Sequence, residues 1–133
     1  MIQPIADGRS FDLQRPNIYI LHCGLDIKRL EKSCEKQGIM VSSRAFRKEE
    51  VFAYYVRLDR PRPDLIISRN HFLSLVQNLN RTKGIPTVIV STHKQPVDCF
   101  YPFVRATHGY DGPDALQVYE QLAVAVRGEL RMG

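Results

Sequence analysis

Four short apolar runs spaced along the chain restrict its fold more than any other feature. They are Ile18-Tyr19-Ile20-Leu21, Ile39-Met40-Val41, Leu65-Ile66-Ile67 and Thr87-Val88-Ile89-Val90. Each is too short for a helix and is apolar at nearly every position, which suits a strand covered on both faces. The segments between them carry helical spacing instead. Asp26 can cap a helix through its carboxylate, and Ile27, Leu30 and Cys34 then share one face until Gly38 ends it. Lys48 to Leu58 places Val51, Phe52, Tyr55 and Leu58 on one face, and the Arg60-Pro61-Arg62-Pro63 stretch stops it, because proline cannot continue a helix. Phe72, Leu75, Val76 and Leu79 mark a third helix, closed by Gly84. Pro113 and Asp114 open a last one with Leu116, Tyr119, Leu122, Val126 and Leu130 as its apolar stripe.

Strands alternating with helices at this spacing form right-handed crossovers, and so a parallel sheet with helices on both faces. The expected fold is α/β: a doubly wound, parallel, five-stranded sheet in a flavodoxin-like (βα)5 sandwich. Its fifth strand and fourth helix must lie between His93 and Gly112, where Pro96 and Pro102 blur the boundaries. Residues 1–16 carry Pro4, Gly8 and Pro16 with no apolar period and read as an N-terminal arm, leaving 17–133 as the domain. A chain of 133 residues, 44% apolar and 25% charged, can bury one ordinary core without a disulfide or structural metal. Cys23, Cys34 and Cys99 are an odd number with no CxxC pair, which argues against a zinc ribbon or a secreted disulfide scaffold. His71, His93 and His108 have no spacing that converges on a metal, so no metal or cofactor is expected. Without a long apolar segment the chain reads as cytoplasmic.

The formal charge is +5, and it is regional: residues 17–94 balance to +7 and residues 95–133 to −2. Arg44, Arg47, Lys48, Arg57, Arg60 and Arg62 gather around the expected second helix. Arginine favours bidentate contact with phosphate or carboxylate, so this patch is a candidate surface for an acidic protein or nucleic acid, or simply a solvated face. No helix-turn-helix or RNA-binding motif supports the nucleic-acid version.

Three segments resemble the receiver domain of two-component response regulators. "NIYILHCGLDIKRLEKSCEKQGIMV" follows that family's first strand, acidic loop, first helix and second strand, "RPDLIISR" is similar to its third strand, and "GIPTVIVST" to its fourth. Receiver chemistry uses an aspartate that accepts a phosphoryl group, two acidic residues that hold Mg²⁺, a hydroxyl residue and a lysine that precedes a proline. At the matching positions this chain has His22 and Cys23 for the acidic pair and Arg69, beside Ser68, for the acceptor. Ser91 or Thr92 keeps the hydroxyl. The lysine has no clear match within His108-Gly109-Tyr110-Asp111-Gly112-Pro113. The resemblance therefore implies a pseudo-receiver: a regulatory signalling module, attached to or acting on a larger signalling or transcription apparatus, that works through protein–protein contact. In receivers the face of helix 4, strand 5 and helix 5 commonly pairs with a partner or a second copy. Phe100, Tyr101, Tyr110 and Tyr119 fall in that region, either as interface anchors or as core.

An enzyme reading competes. His22-Cys23 followed by Arg29 spells the HC-x5-R signature of cysteine-dependent phosphatases, with Cys23 as nucleophile, Arg29 as phosphate fork and Asp98 or Asp111 as acid. The loop lacks the Ser or Thr that normally follows the arginine, and Leu30 stands there. Ile27 and Leu30 are better used in the helix core, and Cys99 with Arg105 repeats the C-x5-R spacing without any such context.

Overall fold

The computed structural model describes residues 15–21, 24–48, 51–52, 63–69, 84–92 and 101–132, and five parallel strands and two helices lie within them. The strands are β1 (Asn17–Leu21), β2 (Ser42–Phe46), β3 (Leu65–Arg69), β4 (Thr87–Ser91) and β5 (Phe103–Arg105), and the helices are α1 (Ile27–Lys36) and α2 (Ala115–Met132). The sheet order is β2-β1-β3-β4-β5, with every neighbouring pair parallel. This is the doubly wound sheet that the sequence pattern implied, and its winding direction reverses between β1 and β3.

Side chains alternate faces along a strand, and here both faces are covered. One core joins Ile18, Ile20, Leu65, Ile67, Val88 and Val90 to Leu30 and Cys34 of α1 and to Val118, Leu122 and Val126 of α2. The other joins Tyr19, Leu21, Phe46, Ile66 and Ile85 to Phe52. Tyr19, Phe46 and Phe52 pack as a tilted and edge-on trio, with ring centroids 5.0, 5.6 and 6.5 Å apart. Each fully buried Leu, Ile or Phe contributes on the order of 1.5–3 kcal/mol.

Asp26 caps α1 as its position implied: its Oδ1 accepts from the Arg29 N–H at 3.2 Å. Gly38 ends the turn with φ +84°, a left-handed backbone that glycine alone adopts without strain. Asp64 ties β3 to β1 by accepting from the Asn17 N–H at 2.7 Å.

Three sequence expectations shift. The second strand follows the Ile39-Met40-Val41 run instead of containing it, because β2 lies at the sheet edge, where Arg44 and Ala45 are exposed and a continuous apolar run is not required. Met40 itself is 44% exposed. Val51, assigned to the buried face of the second helix, is exposed, while its neighbour Phe52 is fully buried. Leu116, assigned to the apolar stripe of the last helix, is 57% exposed, because the sheet-facing line of α2 runs through Ala115, Val118, Tyr119, Leu122, Ala123 and Val126 and leaves Leu116 at its margin. The first fourteen residues of the expected N-terminal arm, most of the second helix and the third helix lie outside the described residues.

Candidate functional site

In an open parallel sheet ligands bind beyond the carboxyl ends of the strands, where the winding reverses. All five strands end at that edge, at Leu21, Phe46, Arg69, Ser91 and Arg105. Register fixes their neighbours: Leu21 pairs with Ser68, Arg69 with Val90, and Ser91 with Arg105. Ser68 is fully buried, and its hydroxyl donates to the Arg69 carbonyl at 3.0 Å. It is a satisfied structural hydroxyl facing the sheet interior. Arg69 is exposed at the tip of β3. Ser91 is half-buried and Thr92 exposed. The Ala106 N–H donates to the Ser91 carbonyl at 2.7 Å, which holds the end of β5 against the end of β4.

No protein-family model and no curated protein sequence matches this chain. Solved structures do. An atypical orphan response regulator, described as using a phosphorylation-independent regulatory mechanism, aligns with a TM-score of 0.60 at 14% identity, over 88% of this chain and 97% of that one. The orphan response regulator HP1043 of H. pylori aligns with a TM-score of 0.57 at 16% identity, over 86% and 96%. The fold is receiver-like.

Arg69, which the sequence resemblance sets at the acceptor position, stands at the exposed end of β3 as a fixed cation with no carboxylate chemistry. β4 ends at Ser91, with Thr92 following it. The structure also supplies what the sequence search missed. Arg105, at the end of β5, stands in register with Ser91, three residues before the stretch in which a lysine was expected. The usable signal was the short run Phe103-Val104-Arg105, a strand-like pair ending in a cation just after Pro102. His22 and Cys23 lie outside the described residues, as do Asp98, Phe100, His71 and His93. No group of three or more His, Cys, Asp or Glu side chains that could hold a metal occurs among the described residues.

Arg29 sits on the third residue of α1, with its guanidinium 4.7 Å from the ring centroid of Tyr119. That is a cation–π contact, and it occupies the arginine that the phosphatase reading needs as an anion fork. Tyr119 is a core residue rather than an interface anchor: it is 1% exposed, and its hydroxyl accepts from the Asp26 N–H at 2.9 Å. The sequence cannot separate these roles, because an aromatic in the last helix suits either. Burial pushes the Tyr119 hydroxyl pKa up; the Asp26 N–H and Arg29 oppose the rise, while Asp26 and Asp111 add to it. Asp111 itself is exposed. Tyr110 is half-buried with its ring 6.2 Å from Tyr119, so it too packs on the core. Tyr101 is half-buried beside β5.

The expected basic patch is only partly described. Arg44 lies on strand β2, and its guanidinium is 5.6 Å from the Phe46 ring centroid. Arg47 and Lys48 are exposed just after β2, and Arg57, Arg60 and Arg62 lie outside the described residues. Cys34 is buried in the core as expected, and burial first, then the Glu31 carboxylate, push its thiol from the ordinary 9.0 to about 11. His108 is exposed and lies 3.4 Å from Asp114. No described helix is long and apolar enough to cross a membrane.

Proposed function

We propose that this chain is a non-catalytic, receiver-like regulatory module that acts through protein–protein contact without aspartyl phosphorylation. One observation carries the reading: the acceptor end of β3 is Arg69, whose guanidinium offers no oxygen nucleophile and repels Mg²⁺ from the place where it would be needed. The Arg29–Tyr119 contact supports the non-enzymatic side of the proposal, since it engages the arginine of the HC-x5-R signature. The phosphorylation-independent mechanism attributed to one structural neighbour is consistent with it.

The partner face would be the edge formed by β5 and α2. A groove of about 670 Å³ runs there between Pro102, Phe103 and the Gln117, Gln121 and Val124 side of the helix. Leu116 and Val124 are exposed on the same helix, large apolar groups of the kind that anchor contacts. Cytoplasmic placement and a role beside a signalling or transcription apparatus belong to this reading, and nucleic acid is the lesser alternative partner.

The test has two arms. Intact-mass spectrometry after incubation with acetyl phosphate and Mg²⁺ is expected to show an unmodified chain, and a covalent phosphoryl adduct would overturn the reading. Sedimentation or affinity capture with Val124→Glu is expected to lose a self- or partner contact seen with the natural chain. Undiminished association would remove the β5/α2 face from it.

A further inference from the structure

β2 stands at one end of the sheet order, and no described strand pairs with its outer side. Such an edge presents a row of backbone groups on which another strand can build. The Ser42 N–H donates to the Pro16 carbonyl at 2.9 Å, which fixes the alternation of the parallel ladder. Ser42, Arg44 and Phe46 turn their backbone groups towards β1, and Ser43 and Ala45 turn theirs outward. The outward N–H of Ser43 is already taken: it donates to Glu31 Oε2 of α1 at 2.9 Å, in a part-buried contact. Glu31 follows Leu30, which is fully buried between α1 and the sheet, so the packing of the helix sets where the carboxylate lies. A helix side chain thus occupies an edge donor of a strand.

We infer that this is an autoinhibitory contact, in which Glu31 closes the β2 edge against strand addition by a second copy of this chain. The register of the strand favours that occupant. In a two-fold antiparallel pairing with Arg44 opposite its own counterpart, Ser43 of each copy meets Ala45 of the other. Both residues turn their backbone outward, so each such pair exchanges two N–H···O bonds, and one of the two uses the Ser43 N–H that Glu31 holds. Ala45 is exposed and small, so the backbones can approach. While the carboxylate stays, each pair lacks one of its bonds, and the incoming Ala45 carbonyl meets an anion. Arg44, exposed at the centre of this register, adds like-charge repulsion as a second guard. β2 and β5 are opposite ends of the sheet, so the inference stands apart from the proposed β5/α2 partner face.

The experiment is sedimentation equilibrium of the full chain in a Val124→Glu background, which keeps any contact through the β5/α2 face out of the reading. Glu31→Ala should strengthen dimerisation about tenfold or more over that parent, since the Ser43 N–H of each copy becomes free to pair. Glu31→Gln, which keeps an oxygen acceptor of the same reach without the charge, should stay close to the parent. Ala45→Pro removes an outward N–H and leaves the ladder with β1 intact, so adding it to Glu31→Ala should restore the parent's association. Hydrogen exchange reads the same contact without any substitution: in the natural chain the Ser43 amide should exchange more slowly than the Ala45 amide. Equal rates there would overturn the inference, as would a folded Glu31→Ala chain that associates no more than its parent. So would association that survives Ala45→Pro, or that is as strong in Glu31→Gln, since loss of net charge would then account for it.

Discussion

Tyr119→Phe removes one oxygen atom and tests the tie between the two ends of the chain. The hydroxyl of Tyr119 accepts the Asp26 N–H at 2.9 Å across 93 residues, and the ring is 1% exposed. Phenylalanine keeps the ring, its packing against Tyr110 and the Arg29 stacking, so only the acceptor is lost. A donor stranded in a buried site costs about 1–3 kcal/mol. This N–H is part-buried, so water meets some of its demand, and the lower end applies. Removing the hydroxyl also relieves its own desolvation, so the net loss is about 1 kcal/mol, or roughly 3–5 °C in Tm for a chain of this size. Tyr119→Ala, which empties the site as well, should cost about 3–5 kcal/mol. Urea titration followed by circular dichroism measures both, and hydrogen exchange at the Asp26 amide should quicken in Tyr119→Phe. Arg29→Ala should cost about 0.5 kcal/mol in either background, because the stacking needs the ring and not the hydroxyl. A Tyr119→Phe variant as stable as the natural chain, with Asp26 exchange unchanged, would refute the tie. Coupling between the Arg29 and Tyr119 changes well above 0.5 kcal/mol would show that the hydroxyl and the guanidinium do not act separately.

The Cys34 thiol, raised to about 11 by burial and by Glu31, stays protonated in the folded chain while the unfolded thiol ionises above 9.0. The unfolded state therefore binds fewer protons above that value, and stability should fall by about 1 kcal/mol between pH 8 and pH 10, a loss that Cys34→Ser or Cys34→Ala should flatten in pH-dependent urea melts. Gly38→Ala places a side chain at φ +84° in otherwise open space, so the cost is backbone strain alone and should be about 1 kcal/mol by thermal melting, with no change in the slope of the urea transition. Arg69→Asp places a carboxylate at the end of β3 and is expected to remain unmodified by acetyl phosphate in intact-mass spectra, because β1 leads into His22-Cys23 in place of an acidic pair. Phosphorylation of that variant would show that the missing carboxylates are not what stops the chemistry. Mg²⁺ is expected to leave the Tm of the natural chain unchanged, and a rise of several degrees would contradict the loss of the metal site.

The legible part of the fold was the part buried on both faces. β1, β3 and β4 are central, their residues serve two cores, and that demand writes a continuous apolar run into the sequence. The two edge strands escape the same reading for opposite reasons. β2 needs only Phe46 fully buried, so its sequence SSRAF carries no apolar run, and the nearby Ile39-Met40-Val41 attracted the assignment instead. β5 is three residues long and follows Pro102, too short for any period to register. The Asp26 cap and the Gly38 stop were legible because they rest on local backbone chemistry. The role of Tyr119 was not, since its partners, Asp26 and Arg29, are some 90 residues away and only the packing of α2 on α1 brings them together.

The same packing bears on how such a module can be controlled. In a receiver with its carboxylates in place, like charges crowd at the carboxyl end of the sheet, and metal and phosphoryl group relieve or exploit that repulsion. Here the start of α1, beside that end, is fixed by the protein itself. Asp26 caps the helix, Tyr119 holds the Asp26 N–H from α2, and Arg29 lies on the Tyr119 ring. A loop entrance held by such contacts has little stored repulsion for a phosphoryl group to release. On the proposed reading, control comes from a protein that covers α2. The Tyr119 tie runs from the carboxyl end of the sheet to the helix that carries Leu116 and Val124. If a partner on α2 alters the start of α1, Tyr119→Phe, which removes this tie without touching the exposed face of α2, is expected to weaken that effect, measured as the change in Asp26 amide exchange on binding.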